Sequence, residues 1–194
     1  MAKKSNRNTR GRIVSAAWKL FYEQGYEDTT VEEIIELSGT SKGSFYHYFD
    51  GKDALLSTLS SLFDEKYEEL TELLTPEMTA MEQLLFLNRE LFHMIEDSIS
   101  LDLLARLYST QLTTNGEKHL LDHNRIYYKL LRKIIAKGQA EGQLSSRSNV
   151  NEMVKLYALC ERALLYDWCL CAGEYALTEY SAKVLPGFLS SFLP

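Results

Sequence analysis

The stretch from Thr29 to Lys52, TTVEEIIELSGTSKGSFYHYFDGK, constrains this chain more than any other. It predicts two short helices joined by a tight turn. Thr30-x-x-Glu33 has the form of a capping box, with a hydroxyl for the orphan backbone N–H groups and a glutamate reaching back. Thr29-x-x-Glu32 fits the same pattern, so the cap falls on one threonine or the other. Val31, Ile34 and Ile35 then share a helical face. Gly39 stands where a helix end needs a left-handed residue. Ser41 can cap a second helix in which Phe45 and Phe49, four apart, turn inward. Lys42, Ser44, His47 and Tyr48 fall mostly on the other side. A helix this short, with donors on its outer face, is sized for the major groove of double-stranded DNA.

The surrounding residues carry a resemblance. Gly25-Tyr26, Thr29-Thr30-Val31, Ile34, Gly39, Ser41-Lys42-Gly43, Phe45-Tyr46, Phe49, Lys52 and Ala54-Leu55 together resemble the DNA-binding segment of the tetracycline-repressor (TetR) family of bacterial transcription regulators. The match spans residues 9 to 56. Asp50-Gly51 departs from it, since that family more often has a small polar cap and a non-glycine residue there. The resemblance implies base-edge contacts from Lys42, Gly43, Ser44, His47 and Tyr48. It implies phosphate contacts from Thr30, Tyr46 and Lys52, although Tyr46 could equally belong to the core. It also implies a head of residues 1–52 and a helical ligand-sensing and dimerisation domain over 53–194.

Charge follows the same division. The chain of 194 residues has a net charge of −6. Residues 1–52 hold 8 Lys/Arg against 7 Asp/Glu, so the excess acid lies in the remainder. Lys3, Lys4, Arg7, Arg10 and Arg12 precede any acid, which concentrates positive charge beside the predicted DNA motif. A solubilising disordered tail over residues 1–8 is the plainer account of the same run.

Only 3 prolines and 10 glycines, together with long apolar periods of 3.6, predict an all-α fold. Asn8 or Thr9 is expected to start the first helix, with Ile13, Ala16, Ala17, Leu20 and Phe21 buried against Val31, Ile34, Phe45 and Phe49. A single long helix from Lys52 to Leu74 is expected to join head and body as a rigid lever. Thr75-Pro76 breaks it, and Thr79-x-x-Glu82 opens the next helix with a second capping box. Leu101 to Leu112 forms a shorter helix, a further one starts near Glu117 and ends at Gly138 or Gly142, and two more follow over 149–172 and 178–192. Pro186 should kink or split the last of these. The 149–172 helix is apolar on more than one side and must bury two faces. Leu164, Leu165, Trp168, Phe188 and Phe192 are therefore expected at a homodimer interface, in a bundle with two helices from each subunit. The aromatic and sulfur side chains Phe86, Phe92, Met94, Tyr108, Tyr127 and Tyr157 are expected to line a pocket for a small hydrophobic or aromatic ligand, and not a phosphorylated one.

Other chemistry reads as ordinary packing or surface. His119 and His123 have the i, i+4 spacing of a zinc pair, but Leu120 stands where a zinc protease has its glutamate, and no metal is expected. Cys160, Cys169 and Cys171 share one predicted helix. On it Cys160 and Cys171 lie about 16 Å apart, too far for a bridge. No glycine-rich nucleotide loop or nucleophile elbow occurs, so neither an enzyme nor a cofactor is expected. The chain lacks an apolar leader and an uncharged membrane-length run, so a cytoplasmic protein without membrane contact is expected. The competing reading is a helical dimeric protein-interaction module whose helix-turn-helix is structural only.

Overall fold

The computed structural model describes residues 2–113 and 118–194, with side chains described from Thr9 onward among the first residues. Among the described residues ten α-helices run in order: α1 (Ala2–Gln24), α2 (Val31–Ser38), α3 (Lys42–Tyr48), α4 (Lys52–Leu56), α5 (Leu59–Leu73), α6 (Ala80–Ser98), α7 (Leu101–Thr113), α8 (Ile126–Ala140), α9 (Val150–Leu170) and α10 (Leu177–Leu189). Short 3₁₀ turns occupy His119–Leu121 and Ser190–Phe192. Among the described residues there is no strand, and no helix is long and apolar enough to cross a membrane.

The first three helices close around a small apolar core. Ile13, Ala17, Phe21, Ile34, Phe45 and Phe49 are all buried in it. Thr30, and not Thr29, is the cap of α2: it accepts from Glu33 N while its own N–H donates to Glu33 Oε2. Thr29 is instead buried, its hydroxyl donating to Gly25 O at 2.7 Å. Gly39 ends α2 at φ 59°, the left-handed conformation that a glycine adopts without penalty. Arg12 of α1 reaches across to donate to Gly39 O at 2.7 Å and to Ser38 O. α1 begins at Ala2, ahead of the expected start, while the side chains of Lys3, Lys4 and Arg7 lie outside the described residues.

The expected continuous lever from Lys52 to Leu74 is not continuous. It is divided into α4 and α5 at Ser57-Thr58. Hydroxyls explain the break. Ser57 Oγ donates to Ala54 O at 2.7 Å and Thr58 Oγ1 to Leu55 O at 2.6 Å. Such back-bonding competes with the helical ladder, and the Thr58 N–H turns tightly to Leu55 O. Trp18 Nε1 of α1 donates to Thr58 Oγ1 at 2.9 Å, which fixes the corner against the head.

The remaining helices form the body. α6 packs on α5, α8 and α10, and α9 packs on α7, α8 and α10. Thr79 and Glu82 form the second capping box as expected. Gly138 lies inside α8, buried where α6 comes close: a Cβ there would stand 2.6 Å from the Cβ of Ala80. Gly142, at φ +70°, follows the helix end. The helix expected from Glu117 is interrupted, because α8 begins only at Ile126; Glu117 itself lies outside the described residues. Consequently His119 sits in the 3₁₀ turn and His123 in a turn beyond it, and the shared helical face that would pair them is not formed. Pro186 does not split α10. Pro186 and Ala182, whose carbonyl loses its usual partner there, are both exposed, so water can satisfy that carbonyl.

Candidate nucleic-acid interface and body cavities

Helix α3 presents two different faces. Phe45 and Phe49 are buried, with ring centroids 5.9 Å apart, and anchor it to α1 and α2. Lys42, Gly43, Tyr46 and His47 are exposed, and Ser44 and Tyr48 are half-buried. Ser41 caps the helix by accepting from Ser44 N at 3.1 Å. No acidic residue occurs in α3 itself. Tyr46 is 46% exposed and rests edge-on against Phe45 at 5.3 Å, so its hydroxyl end is free of the core. His47 and Tyr48 lie in ring contact at 4.8 Å. Lys42 Nζ pairs with Glu32 at 3.3 Å, but both side chains are about two-thirds exposed and such a pair is worth at most about 1 kcal/mol. That lysine can turn to a phosphate or a base at little cost.

Two of the expected phosphate ligands have local work. The Thr30 hydroxyl is exposed yet already engaged in the capping box, donating to Glu33 Oε2 at 2.8 Å. Those hydrogen bonds from Thr30 also hold the Glu33 carboxyl below its ordinary value. Lys52 is half-buried, and its ammonium donates to three carbonyls: Tyr26 at 2.6 Å, Thr29 at 2.9 Å and Glu27 at 3.2 Å. An ammonium has three donors, so a phosphate at Lys52 must compete with the loop that the lysine holds.

The body contains an outer cleft and an inner cavity. The cleft, about 630 Å³, opens between α6 and α10, with Phe86, Leu85, Met78 and Pro186 on its apolar side. The cavity, about 50 Å³, lies among α5, α6, α7, α8 and α9. Of the residues expected to line a pocket, Tyr108 and Tyr127 border the cavity and Phe86 the cleft. Phe92 and Tyr157 are fully buried in the core, and Met94 is half-buried against it, bordering neither space. The sequence reading overlooked the polar wall between the two spaces. Ser181 Oγ donates to Asn88 Oδ1 at 2.5 Å, Asn88 Nδ2 to Glu161 Oε1 at 2.9 Å, and Tyr127 Oη to Glu161 Oε2 at 2.6 Å. Asn88 and Ser181 border the cleft, while Glu161 and Tyr127 border the cavity. Burial pushes the Glu161 carboxyl above its ordinary value, and hydrogen bonds from Tyr127, Asn88 and Tyr157 work against that shift. The signal was present, since Asn88 and Glu161 are polar residues inside otherwise apolar stripes.

Leu164, Leu165, Trp168 and Phe192 are buried in the protomer's own core, and Phe188 is half-buried against it. They are thus not the surface that α9 and α10 offer outward. The outward face of α9 carries Leu159, Ala163, Tyr166 and Leu170, all exposed and spaced as one helical stripe. Cys160, Cys169 and Cys171 are free thiols, and burial pushes those of Cys160 and Cys169 up to about 11. Thiols so raised are poor nucleophiles at neutral pH.

Together these features define an all-α protein with an N-terminal helix-turn-helix on a larger helical body. The profile of the bacterial regulatory proteins of the tetR family matches residues 13–59, the segment that holds α2, α3 and α4. An uncharacterised regulator from Lactococcus lactis is 39% identical over 56 residues, 28% of this chain and 29% of that protein, so the alignment spans under a third of the relative. The fatty acid metabolism regulator protein of Bacillus subtilis is 24% identical over 178 residues, 90% of each chain. Among solved structures, Thermus thermophilus FadR, a TetR family transcriptional repressor in complex with lauroyl-CoA, superposes with a TM-score of 0.75 at 26% identity, covering 95% of both chains.

Proposed function

We propose that the chain is a homodimeric, cytoplasmic DNA-binding transcriptional regulator, and specifically a repressor that leaves its operator when a small apolar or aromatic ligand enters its helical body. The observation that carries this reading is the exposed, acid-free face of α3, with Lys42, Gly43, Tyr46 and His47 held outward by the buried Phe45 and Phe49. Ser44 and Tyr48 flank that face, and Thr30, Tyr46 and Lys52 remain its candidate phosphate ligands. The apolar stripe on α9 supports self-association, and two heads in one dimer would meet half-sites about one helical turn, roughly 34–36 Å, apart or wider. The cleft and the cavity support a ligand in the body. The lauroyl-CoA bound by the Thermus relative has an apolar chain, in keeping with this, and a charged nucleotide end that the sequence did not lead us to expect.

The test is binding to random and selected duplexes across a range of salt. A regulator should lose affinity with a log–log slope near −0.9 for every phosphate contacted, about −5 or steeper for a dimer. A protein-interaction module would show a flat salt dependence and no sequence preference, and either result alone would sink the proposal.

A further inference from the structure

The body buries more polar chemistry than a helical core requires, and one group in it lacks a partner. Glu161, Asn88, Ser181 and Tyr127 satisfy one another, and Tyr157 Oη donates to Leu84 O at 2.8 Å. Tyr67 is different. It is 2% exposed, and its hydroxyl is the sole buried side-chain polar atom without a hydrogen-bond partner among the described residues. A phenylalanine would fill the same space without that cost, so the hydroxyl calls for a partner from outside the chain. Tyr67 borders the inner cavity together with Phe63, Leu91, Tyr108, Leu120 and Glu161. About 10–15 Å³ of such space takes one water. At about 50 Å³ the cavity takes a small polar group of several atoms.

The wall also selects the charge of that group. Glu161 disfavours a carboxylate. Its oxygens already accept from Asn88 and Tyr127, so it offers little to an ammonium. Two guanidiniums, those of Arg125 and Arg162, border the same space and disfavour a cation further. Both guanidiniums already have partners, Arg125 donating to Asp64 at 3.0 Å and to Ser60 O at 2.9 Å and Arg162 donating to Tyr128 Oη at 3.3 Å, so neither stands ready to hold a carboxylate against Glu161. What remains is a phenol proton looking for a neutral oxygen.

We propose that the inner cavity receives the polar end of the effector, and that this end is a neutral hydroxyl or carbonyl oxygen accepting a hydrogen bond from Tyr67 Oη. The apolar carbons next to that oxygen then lie against Phe63, Leu91 and Leu120. This rests on the reading of the chain as a ligand-responsive regulator. A site built around a hydrogen bond rejects the analogue that cannot make it, so a bare hydrocarbon end should bind poorly.

The experiment uses the full chain and four probes of equal length: 1-octanol, n-octane, octanoate and octylammonium. Calorimetry and thermal melting should rank 1-octanol above the other three by about tenfold or more. Tyr67→Phe should remove that advantage without lowering the melting temperature of the unliganded protein. Leu120→Trp, filling the cavity from its half-buried edge, should abolish binding of the alcohol. The proposal falls if octane or an ion matches the alcohol, if Tyr67→Phe binds octanol like the parent, or if none of the probes binds. Operator binding of the parent without probes is measured separately. Its failure would remove the regulator reading and leave the cavity result standing.

Discussion

The guanidinium of Arg106 stands over the ring of Tyr26, 4.9 Å from its centroid. The two residues belong to different parts of the fold, Arg106 to α7 in the body and Tyr26 to the loop between α1 and α2. Lys52 Nζ lies 4.3 Å from the same ring, the Tyr26 hydroxyl donates to Asp53, and Arg106 also pairs with Glu27. Burial and the neighbouring Asp53 carboxylate together push the Tyr26 phenol well above its ordinary value. The loop that leads into the Thr30 cap is thus gripped by both α4 and α7. With the Lys52–Leu74 lever broken at Ser57-Thr58, this grip and the Trp18–Thr58 bond are, with the packing of α4 on α7, physical links by which a movement in the body can reach α3.

Arg106→Ala tests the grip. The ring contact is worth about 0.5–1 kcal/mol and each half-exposed ion pair less than that, so the loss of stability should be near 1 kcal/mol. Amide exchange at residues 26–30 should accelerate while that in α9 stays as it was. Ligand titrations of the DNA complex should show weakened coupling. Unchanged exchange in the loop would mean that Arg106 only decorates the surface.

Lys42 and Lys52 should separate cleanly. Lys42→Ala removes an exposed cation with a weak partner, so the melting temperature should hold while the salt slope for DNA falls by about one unit. Lys52→Ala leaves three loop carbonyls without their shared donor, and stability should drop by about 1–3 kcal/mol before any DNA is added. A Lys52→Ala protein that melts like the parent but binds DNA weakly would reverse this assignment and restore Lys52 as a plain phosphate ligand.

The helix-turn-helix was legible in the sequence because its determinants are local. Capping boxes, Gly39 and the Phe45–Phe49 spacing act over a few residues, and they placed α2 and α3 correctly. The break at Ser57-Thr58 was harder to see, because apolar periodicity runs straight through it; of the hydroxyls that interrupt it, that of Thr58 is held by Trp18, 40 residues earlier. The body failed in a different way. Periodicity says that Leu165 and Trp168 are covered, but not whether this protomer or a second copy covers them. Likewise Tyr108 and Tyr127 border a cavity while Phe92 and Tyr157 do not, a difference set by how five helices meet and by nothing in the residues themselves.

The outward stripe of α9 gives a sharper test of self-association than the buried residues do. Tyr166→Glu or Leu170→Glu places charge on an exposed face and should leave the melting profile of an isolated protomer intact. Either should raise the dimer dissociation constant by about a hundredfold or more, at about 1.4 kcal/mol per tenfold. Leu165→Glu, by contrast, should unfold the body by burying an unpaired charge in the core. Sedimentation velocity reads the difference. Dimers that survive both exposed substitutions would place the interface elsewhere.

Glu161 should make stability depend on pH in an unusual direction. Its carboxyl is raised in the folded state, chiefly by burial, so the fold binds this proton more tightly than the unfolded chain does. The stability associated with the protonated form is therefore fully present below the ordinary carboxylate value, and it is lost as pH rises through the raised one. Most paired carboxylates act the other way. Glu161→Gln removes the titration but keeps an oxygen for Asn88, and Tyr127 can turn its hydroxyl to accept from the new amide. The variant should therefore melt higher than the parent at pH 8, and the gap should shrink toward pH 4.5. Melting curves taken at half-unit steps decide it. A gap that stays constant, or one that widens on acidification, would show that the Glu161 carboxylate is stabilised in the core and not strained there.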